Sequence, residues 1–360
     1  MILLRGAWFW VIVGRLTADL LNLHNATPNP RLLRVRLLQK RTPAKPHCDG
    51  DKTLATPRYG TVSLHNATLN DWSSAACCDR LQSVAPKGHV RDRVTLDMNS
   101  NTLEDLQGKV TVAVAIGPFR ASSWITSFLG PLHDCVFIEK IILDSWAPPQ
   151  QSLRSFRRAL KDMTRKFTKV RIIPGERGIG ERFFAADYVT TPFTLTLDDD
   201  RSLSCSGVHK LLLAARQFPG RIVTSRGFRR SIYECSSGSH ALYYDSDKND
   251  NNIALTSLAL MPTSLLKDYK NFMPRSVIDV VNRERNCEDI AMNWLAAHLN
   301  DDKVSGVFVD GLEICNGHEG RESLKKRNSE GRRDACLNFL RAILPEWPVP
   351  RPSSLSVQWV

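Results

Sequence analysis

No apolar run in this chain reaches the roughly 20 residues that a membrane-spanning helix needs. Leu3–Val13 is apolar apart from Arg5, but it is too short, and Arg15 interrupts the residues after it. Three readings of that segment stay open: a weak signal sequence, an anchor, or the scar of a truncated gene model. There is no C-x₂-C pair, so the common zinc modules are excluded. The dinucleotide fingerprint is missing too. Gly175, Gly178 and Gly180 stand in the order G-x-x-G-x-G, which disfavours a Rossmann dehydrogenase. The polar stretch Asp245–Asn252 fails as a calcium loop, because Asp250 stands where glycine is needed and Thr256 where glutamate is needed. No nucleic-acid motif or aromatic-interleaved basic stretch is present.

What is present is an ordinary globular composition, with 42% hydrophobic and 24% charged residues over 360 positions. That length holds one large α/β domain or two smaller ones. The formal charge of +12 is concentrated in two tracts, Arg31–Lys45 and Arg154–Arg171. Such a surface favours polyanions, including nucleic acid, acidic glycans and phosphorylated substrates. The second tract also reads as a plain helix with a solvated basic face, because Leu153, Phe156, Leu160, Met163 and Phe167 recur at helical spacing. The nine cysteines are dispersed, which permits disulfides and an oxidising compartment, and the odd number leaves at least one thiol free or paired to another chain. Two sequons, Asn25-Ala-Thr27 and Asn66-Ala-Thr68, point the same way.

Residues 1–105 have weak periodicity and scattered prolines, and they read as a targeting and stem region rather than a packed domain. From Val110 the pattern changes. Strand candidates at Val110–Ile116, Cys135–Leu143, Val170–Ile173, Phe193–Leu197 and Ile222–Thr224 alternate with helical stretches. That alternation implies an α/β fold with a largely parallel sheet and crossover helices.

Two acidic clusters stand out. Asp198, Asp199 and Asp200 come directly after the strand candidate Phe193–Leu197. Carboxylates at the carboxyl end of such a strand suit Mg²⁺ or Mn²⁺ and a substrate diphosphate; the bland alternative is a charged turn. Glu288 and Asp289 open an apolar helix running to about Leu299, with Asn286 placed to cap it. Acids there favour the helix macrodipole without any chemistry, so this cluster alone decides nothing.

Asn286-Cys-Glu-Asp-Ile-Ala-Met-Asn293 closely resembles the signature of the exostosin-like glycosyltransferases, family 64. Glu181-Arg182-Phe183, Ser305–Val309 and Arg333-Asp-Ala-Cys336-Leu-Asn338 match in the same order, so the resemblance covers about 106–355. It implies a GT-A nucleotide-sugar transferase fold, a Rossmann-like mixed sheet flanked by helices. It also implies retaining transfer of an N-acetylhexosamine or related sugar from a UDP donor with Mn²⁺ or Mg²⁺. By that resemblance Asp200 is the metal ligand, and Asp198 and Asp199 contact nucleotide and sugar. Arg182 holds the donor, and Arg120 falls near a nucleotide-contacting arginine. Asp289 lies beneath the reacting sugar, Glu288 touches donor or acceptor, and Arg333 stabilises the leaving diphosphate. Cys287 and Cys336 are implied to form a disulfide.

Three places depart from the family pattern: Arg177–Gly180, Asp144-Ser145-Trp146, and Ser257 where a glycine is expected. They correspond to positions near the uracil, ribose and donor sugar, so the donor stays open among UDP-GlcNAc, UDP-GalNAc, UDP-glucose and GDP-mannose. The expected partners are a UDP-sugar and a glycan or glycolipid acceptor, with no nucleic acid. The expected setting is the Golgi or endoplasmic reticulum lumen, with membrane association through the N-terminus as one option. The rival expectation is a catalytically silent, glycan-binding or complex-forming homologue.

Overall fold

The computed structural model of the chain describes residues 82–83, 93–96, 103–116, 122–145, 154–174, 178–234, 240–243, 251–316, 330–353 and 356–359. The elements begin with β1 (Gln82–Ser83), β2 (Arg93–Leu96), α1 (Leu103–Leu106), β3 (Val110–Ile116) and α2 (Ser122–Asp134). They continue with β4 (Ile138–Ser145), α3 (Arg154–Lys166), β5 (Val170–Pro174) and α4 (Glu181–Phe184). A 3₁₀ turn, Ala185–Tyr188, leads to β6 (Phe193–Asp198), β7 (Arg201–Leu203), α5 (Cys205–Gln217) and β8 (Ile222–Ser225). Next come β9 (Arg229–Glu234), β10 (His240–Tyr243), β11 (Ile253–Ala254) and β12 (Leu258–Pro262). The chain then runs through α6 (Thr263–Phe272), α7 (Arg275–Glu284), α8 (Glu288–Leu299), β13 (Gly306–Val309), β14 (Ile314–Asn316), α9 (Glu330–Ile343) and β15 (Ser356–Trp359).

A nine-stranded sheet runs in the order β2-β15-β13-β8-β12-β6-β3-β4-β5. β3 is parallel to both β4 and β6, while β12 lies antiparallel to β6 and β8. The Rossmann-like mixed sheet flanked by helices is therefore present, and β12 is the reversal that a reading of parallel crossovers omitted. β3 is buried along its whole length, which is why Val110–Ile116 reads as a continuous apolar run rather than an alternating one.

The two faces of the sheet are chemically different. Val112, Val114, Leu195 and Leu197 pack with Leu129 and Leu132 of α2 and Leu211 and Leu212 of α5. The opposite face carries threonines on β6. Thr194 shares a hydrogen bond of 2.9 Å with Thr263, and the Thr196 hydroxyl donates to the Thr256 carbonyl at 2.7 Å. Beside it, Phe183, Tyr269, Met292, Trp294 and Leu295 form a second core from α4, α6 and α8.

Two strands from the region assigned to a stem pair into sheets. β2 extends the large sheet by pairing with β15, and β1 pairs with β9. Short strands without strong periodicity take their structure from their partners, so the 1–105 boundary left them out. The tract Arg31–Lys45, both sequons and Leu3–Val13 lie outside the described residues. Among the described residues, no helix is long and apolar enough to cross a membrane.

Candidate active site

The site begins at the carboxyl ends of three parallel strands. Ala115 of β3 is in register with Asp144 of β4 on one side and Asp198 of β6 on the other. Partners in register project to the same face, so two carboxylates flank a methyl group about 10 Å apart in Cα position. The chain turns at Asp199-Asp200 and enters β7, which pairs with β14. Asp199 and Asp200 are both partly exposed there. The Asp200 carboxylate lies 3.5 Å from the Arg201 guanidinium, which in turn sits over the Phe228 ring.

Arg182 lies behind these acids. Its Nη1 donates to Asp198 Oδ1 at 2.6 Å, and its side chain is 1% exposed against 35% for Asp198. Nε donates to the Ile179 carbonyl at 3.3 Å and Nη1 to the Thr256 carbonyl at 3.4 Å. Burial opposes the arginine's charge. The attractions of Asp198, Glu288 and Asp144 outweigh it and push the pKa up.

The second acidic cluster is aimed by an unusual turn. Arg285 and Cys287 both occupy the left-handed region, at φ 51° and 76°. Non-glycine residues there cost energy and persist only where surroundings impose them. Two constraints do so here. The Asn286 side chain accepts the Cys287 N–H at 2.9 Å, and Cys287 is disulfide-bonded to Cys336. Asn286 is thus not the helix cap expected from sequence; Cys287 holds that position and gives no side-chain cap. α8 then opens with Glu288 and Asp289, where carboxylates gain from the macrodipole. Asn293, one turn further, donates to the Asp289 carbonyl at 2.7 Å and to the Ala254 carbonyl at 2.8 Å. Its side-chain oxygen accepts from the Ala254 N–H and the Ser305 hydroxyl. This fully bonded amide ties α8 to β11.

The disulfide implied by the resemblance therefore exists, and it brings α9 against α8. Arg333 Nη2 stands 3.9 Å from Asp289 Oδ2. α9 is further located by Asp334, which accepts the Leu242 N–H, and by Asn338, which bonds both backbone groups of His240 on β10. Asp289 is 4% exposed, so the pair lies close to a low-dielectric interior.

Glu288 is the third acid near Arg182. Part of the residue reaches the surface, but its Oε2 is enclosed and accepts no hydrogen bond. Burial, then the charge of Asp289, push its carboxyl up to about 7, against the pull of Arg182. The same carboxylate, after burial itself, helps raise the pKa of the Tyr269 phenol. A folded pKa above the unfolded value means that the stabilising contribution is complete below about pH 4.5 and is lost as pH rises through about 7. Glu288→Gln is therefore expected to gain stability relative to wild type on going from about pH 5 to about pH 8, by on the order of 1–3 kcal/mol. Thermal unfolding at both pH values measures it. A Tm difference that stays constant would overturn the assignment.

Asp198, Asp199 and Asp200 sit at the end of β6; Arg182 bonds Asp198 and shares its field with Glu288, and Arg333 stands by Asp289. Arg120 lies outside the described residues. Pattern reading missed the Cys135–Cys205 disulfide, which ties the start of α5 to the loop before β4. It also gave no role to Asp144, 1% exposed and an electrostatic neighbour of Arg182. Its only sequence signal was a departure from the family pattern. Among the described residues, no three His, Cys, Asp or Glu side chains are grouped to hold a metal ion by themselves. The carboxylates of Asp199 and Asp200 still fit one chemically. They are hard oxygen donors, and Mg²⁺-like ions take one or two carboxylates and fill their shell with phosphate and water.

Comparison with known proteins decides the family. Residues 111–354 match the model of the Glycosyl transferase family 64 domain. The chain belongs to glycosyl transferase family 64. Both acidic clusters, Arg182, Arg333 and the Cys287–Cys336 disulfide fall inside that span. It is 33% identical to Exostosin-1 of Pongo abelii over 128 residues, covering 35% of this chain and 17% of that one. It is 27% identical to Glycosylinositol phosphorylceramide mannosyl transferase 1 of Arabidopsis thaliana over 222 residues, covering 58% of this chain and 64% of that one. The matches thus span less than two thirds of these relatives. A structure of S. aureus TarS 1-349 in complex with UDP-GlcNAc overlays with a TM-score of 0.34 at 15% identity, covering 52% of this chain and 53% of that one. At that level the overlay adds nothing to the family match.

Proposed function

We propose that this glycosyltransferase moves an N-acetylhexosamine, or a related sugar, from a UDP-sugar to a glycan or glycolipid acceptor with retention and with Mn²⁺ or Mg²⁺. The observation that carries the reading is that Arg182 bonds Asp198 and shares its field with Glu288, beside Asp289, whose partner Arg333 stands 3.9 Å away on an element that Cys287–Cys336 ties to α8. Asp200 would hold the metal, which when bound stabilises negative charge on the diphosphate. Arg333 supplies a second positive charge for the departing phosphate. Asp289, fixed by the Ile290 N–H at 2.9 Å, stabilises positive charge at an oxocarbenium-like sugar carbon. The two disulfides among the described residues favour an oxidising compartment, consistent with the Golgi or endoplasmic reticulum lumen. The Arabidopsis relative is named as a mannosyl transferase, and that name keeps GDP-mannose and a glycolipid acceptor as the second reading.

A donor screen tests this. UDP- and GDP-sugars are incubated with wild type and Asp200→Ala, with Mn²⁺ and with EDTA, and transfer or donor hydrolysis is measured. One donor should turn over with Mn²⁺, with activity lost in EDTA and reduced by about a thousandfold in Asp200→Ala. Well-folded protein with no turnover and no metal-dependent nucleotide binding would overturn the catalytic reading and favour the silent homologue.

A further inference from the structure

Asp144 is a carboxylate on an apolar face. It lies near the end of β4, 1% exposed, with both oxygens enclosed. Its neighbours on that face of the sheet are Ile142 by alternation and Ala115 and Ile173 by register, with Ala113 beside Ile142. Ala113, Ile142 and Ile173 pack there with Ala185, the residue that directly follows α4. A charge taken out of water among such groups is costly unless an opposite charge meets it. Arg182 of α4 is that opposite charge, and Asp144 is one of the acids whose attraction pushes its pKa up. The guanidinium is therefore held from two strands on either side of Ala115. Nη1 donates to Asp198 of β6 at 2.6 Å, and Asp144 pulls from β4. Nε is spent on the Ile179 carbonyl at 3.3 Å. Nη2 bonds none of the described residues and is not among the enclosed polar atoms, so it is the part of the arginine left for a ligand.

We infer that Asp144 is a positioning residue of the donor site: from β4 it holds the Arg182 guanidinium against the pull of Asp198 and so keeps Nη2 turned toward the bound nucleotide-sugar. This rests on the glycosyl-transfer reading above, and it gives a role to a residue that departs from the family pattern. Stability alone is a poor reason for such an acid, because a buried charge can often be replaced by an apolar group at no cost. The physical argument concerns geometry. A guanidinium readily forks onto one carboxylate with two parallel N–H bonds. Without the charge of Asp144, the pull from β4 is lost and Arg182 turns further onto Asp198. Nη2 is then spent inside the protein.

Calorimetry of the full chain with UDP and Mn²⁺, together with steady-state transfer, tests this on wild type, Asp144→Asn, Arg182→Lys and the double variant. Asp144→Asn keeps the size of the side chain and removes its charge. UDP affinity should fall by about tenfold and donor KM should rise to match, while kcat stays within about threefold. Lysine cannot fork onto a carboxylate, so Asp144→Asn added to Arg182→Lys should cost no more than about a further twofold. Unchanged or tighter UDP binding in Asp144→Asn would overturn the proposal whatever the Tm does, since a carboxylate that only fills the interior or repels the donor gives that result. Losses that multiply in the double variant would overturn it too. If Asp144→Asn does not fold, Asp144→Glu decides, because it keeps the charge and displaces it by one methylene: a loss of UDP affinity of about tenfold upholds the role, and affinity within about threefold rejects it. Should wild type bind no UDP, the glycosyl-transfer reading fails separately. The same cycle is then read in thermal unfolding, where coupled Tm shifts uphold the Asp144–Arg182 unit and additive shifts reject it.

Discussion

Asp289→Asn is expected to lower sugar transfer by about a thousandfold while leaving UDP affinity within about threefold. The substitution keeps shape and removes one negative charge. That charge lies 4% exposed, 3.9 Å from Arg333, at the first turn of a buried helix. In such surroundings a carboxylate acts on a developing positive centre with little screening. Binding of the nucleotide should change little, because the strand-end acids are untouched. The fold should also tolerate the change, since losing one macrodipole interaction costs about 0.3–1 kcal/mol. Steady-state kinetics with calorimetry on the same protein separates the two effects. A fall in kcat of less than about tenfold would remove Asp289 from the reacting centre.

Cys287→Ser should lower both stability and activity. The Cys287–Cys336 bond closes a separation of 49 residues, and loop-closure entropy gives about 4 kcal/mol for a loop of that size. Cys135–Cys205, at 70 residues, should be worth about the same. The two differ in what else they hold. Cys287–Cys336 sets the left-handed turn before α8 and presses Arg333 toward Asp289, whereas Cys135–Cys205 ties a loop at the opposite end of β4 to α5. Measured well below each variant's Tm, Cys287→Ser should therefore lose at least about tenfold more activity than Cys135→Ser at equal loss of stability. Equal activities would mean that the disulfide has no part in aligning the site.

Much of the fold was legible because local pattern and tertiary demand agree in this chain. Val110–Ile116 is almost wholly apolar and lies inside the sheet, between β4 and β6. Phe193–Asp198 alternates leucine with threonine, and the two sets face different layers. Leu195 and Leu197 enter the apolar core, while Thr194 and Thr196 bond across to the threonines around β12. The acids at the end of β6 and the start of α8 fell where those elements predicted. Other features left weak signals. β1 and β2 are short, and their structure comes from strands far along the chain. β12 was hidden because a reversed strand has no different residue pattern from a parallel one.

The sequence by itself determined the central strands from β3 to β6, the acids at the end of β6 and the start of α8, and the family to which the chain belongs. Those properties depend on periodicity and on motifs a few residues long. Only the tertiary structure decided that Arg182 is enclosed, that Asp144 shares its field, that Asn286 serves Cys287 instead of capping α8, and that Cys135 meets Cys205. Each of the first two facts depends on burial and on charges brought together from separate elements, as when Arg182 meets Asp198, 16 residues away, and the Thr256 carbonyl, 74 away. The cysteine pairing depends on two segments 70 residues apart, and the Asn286 contact on a left-handed turn that distant packing imposes. Local preferences set the direction of a side chain relative to its own helix or strand. They do not set the dielectric around it or the charges it faces.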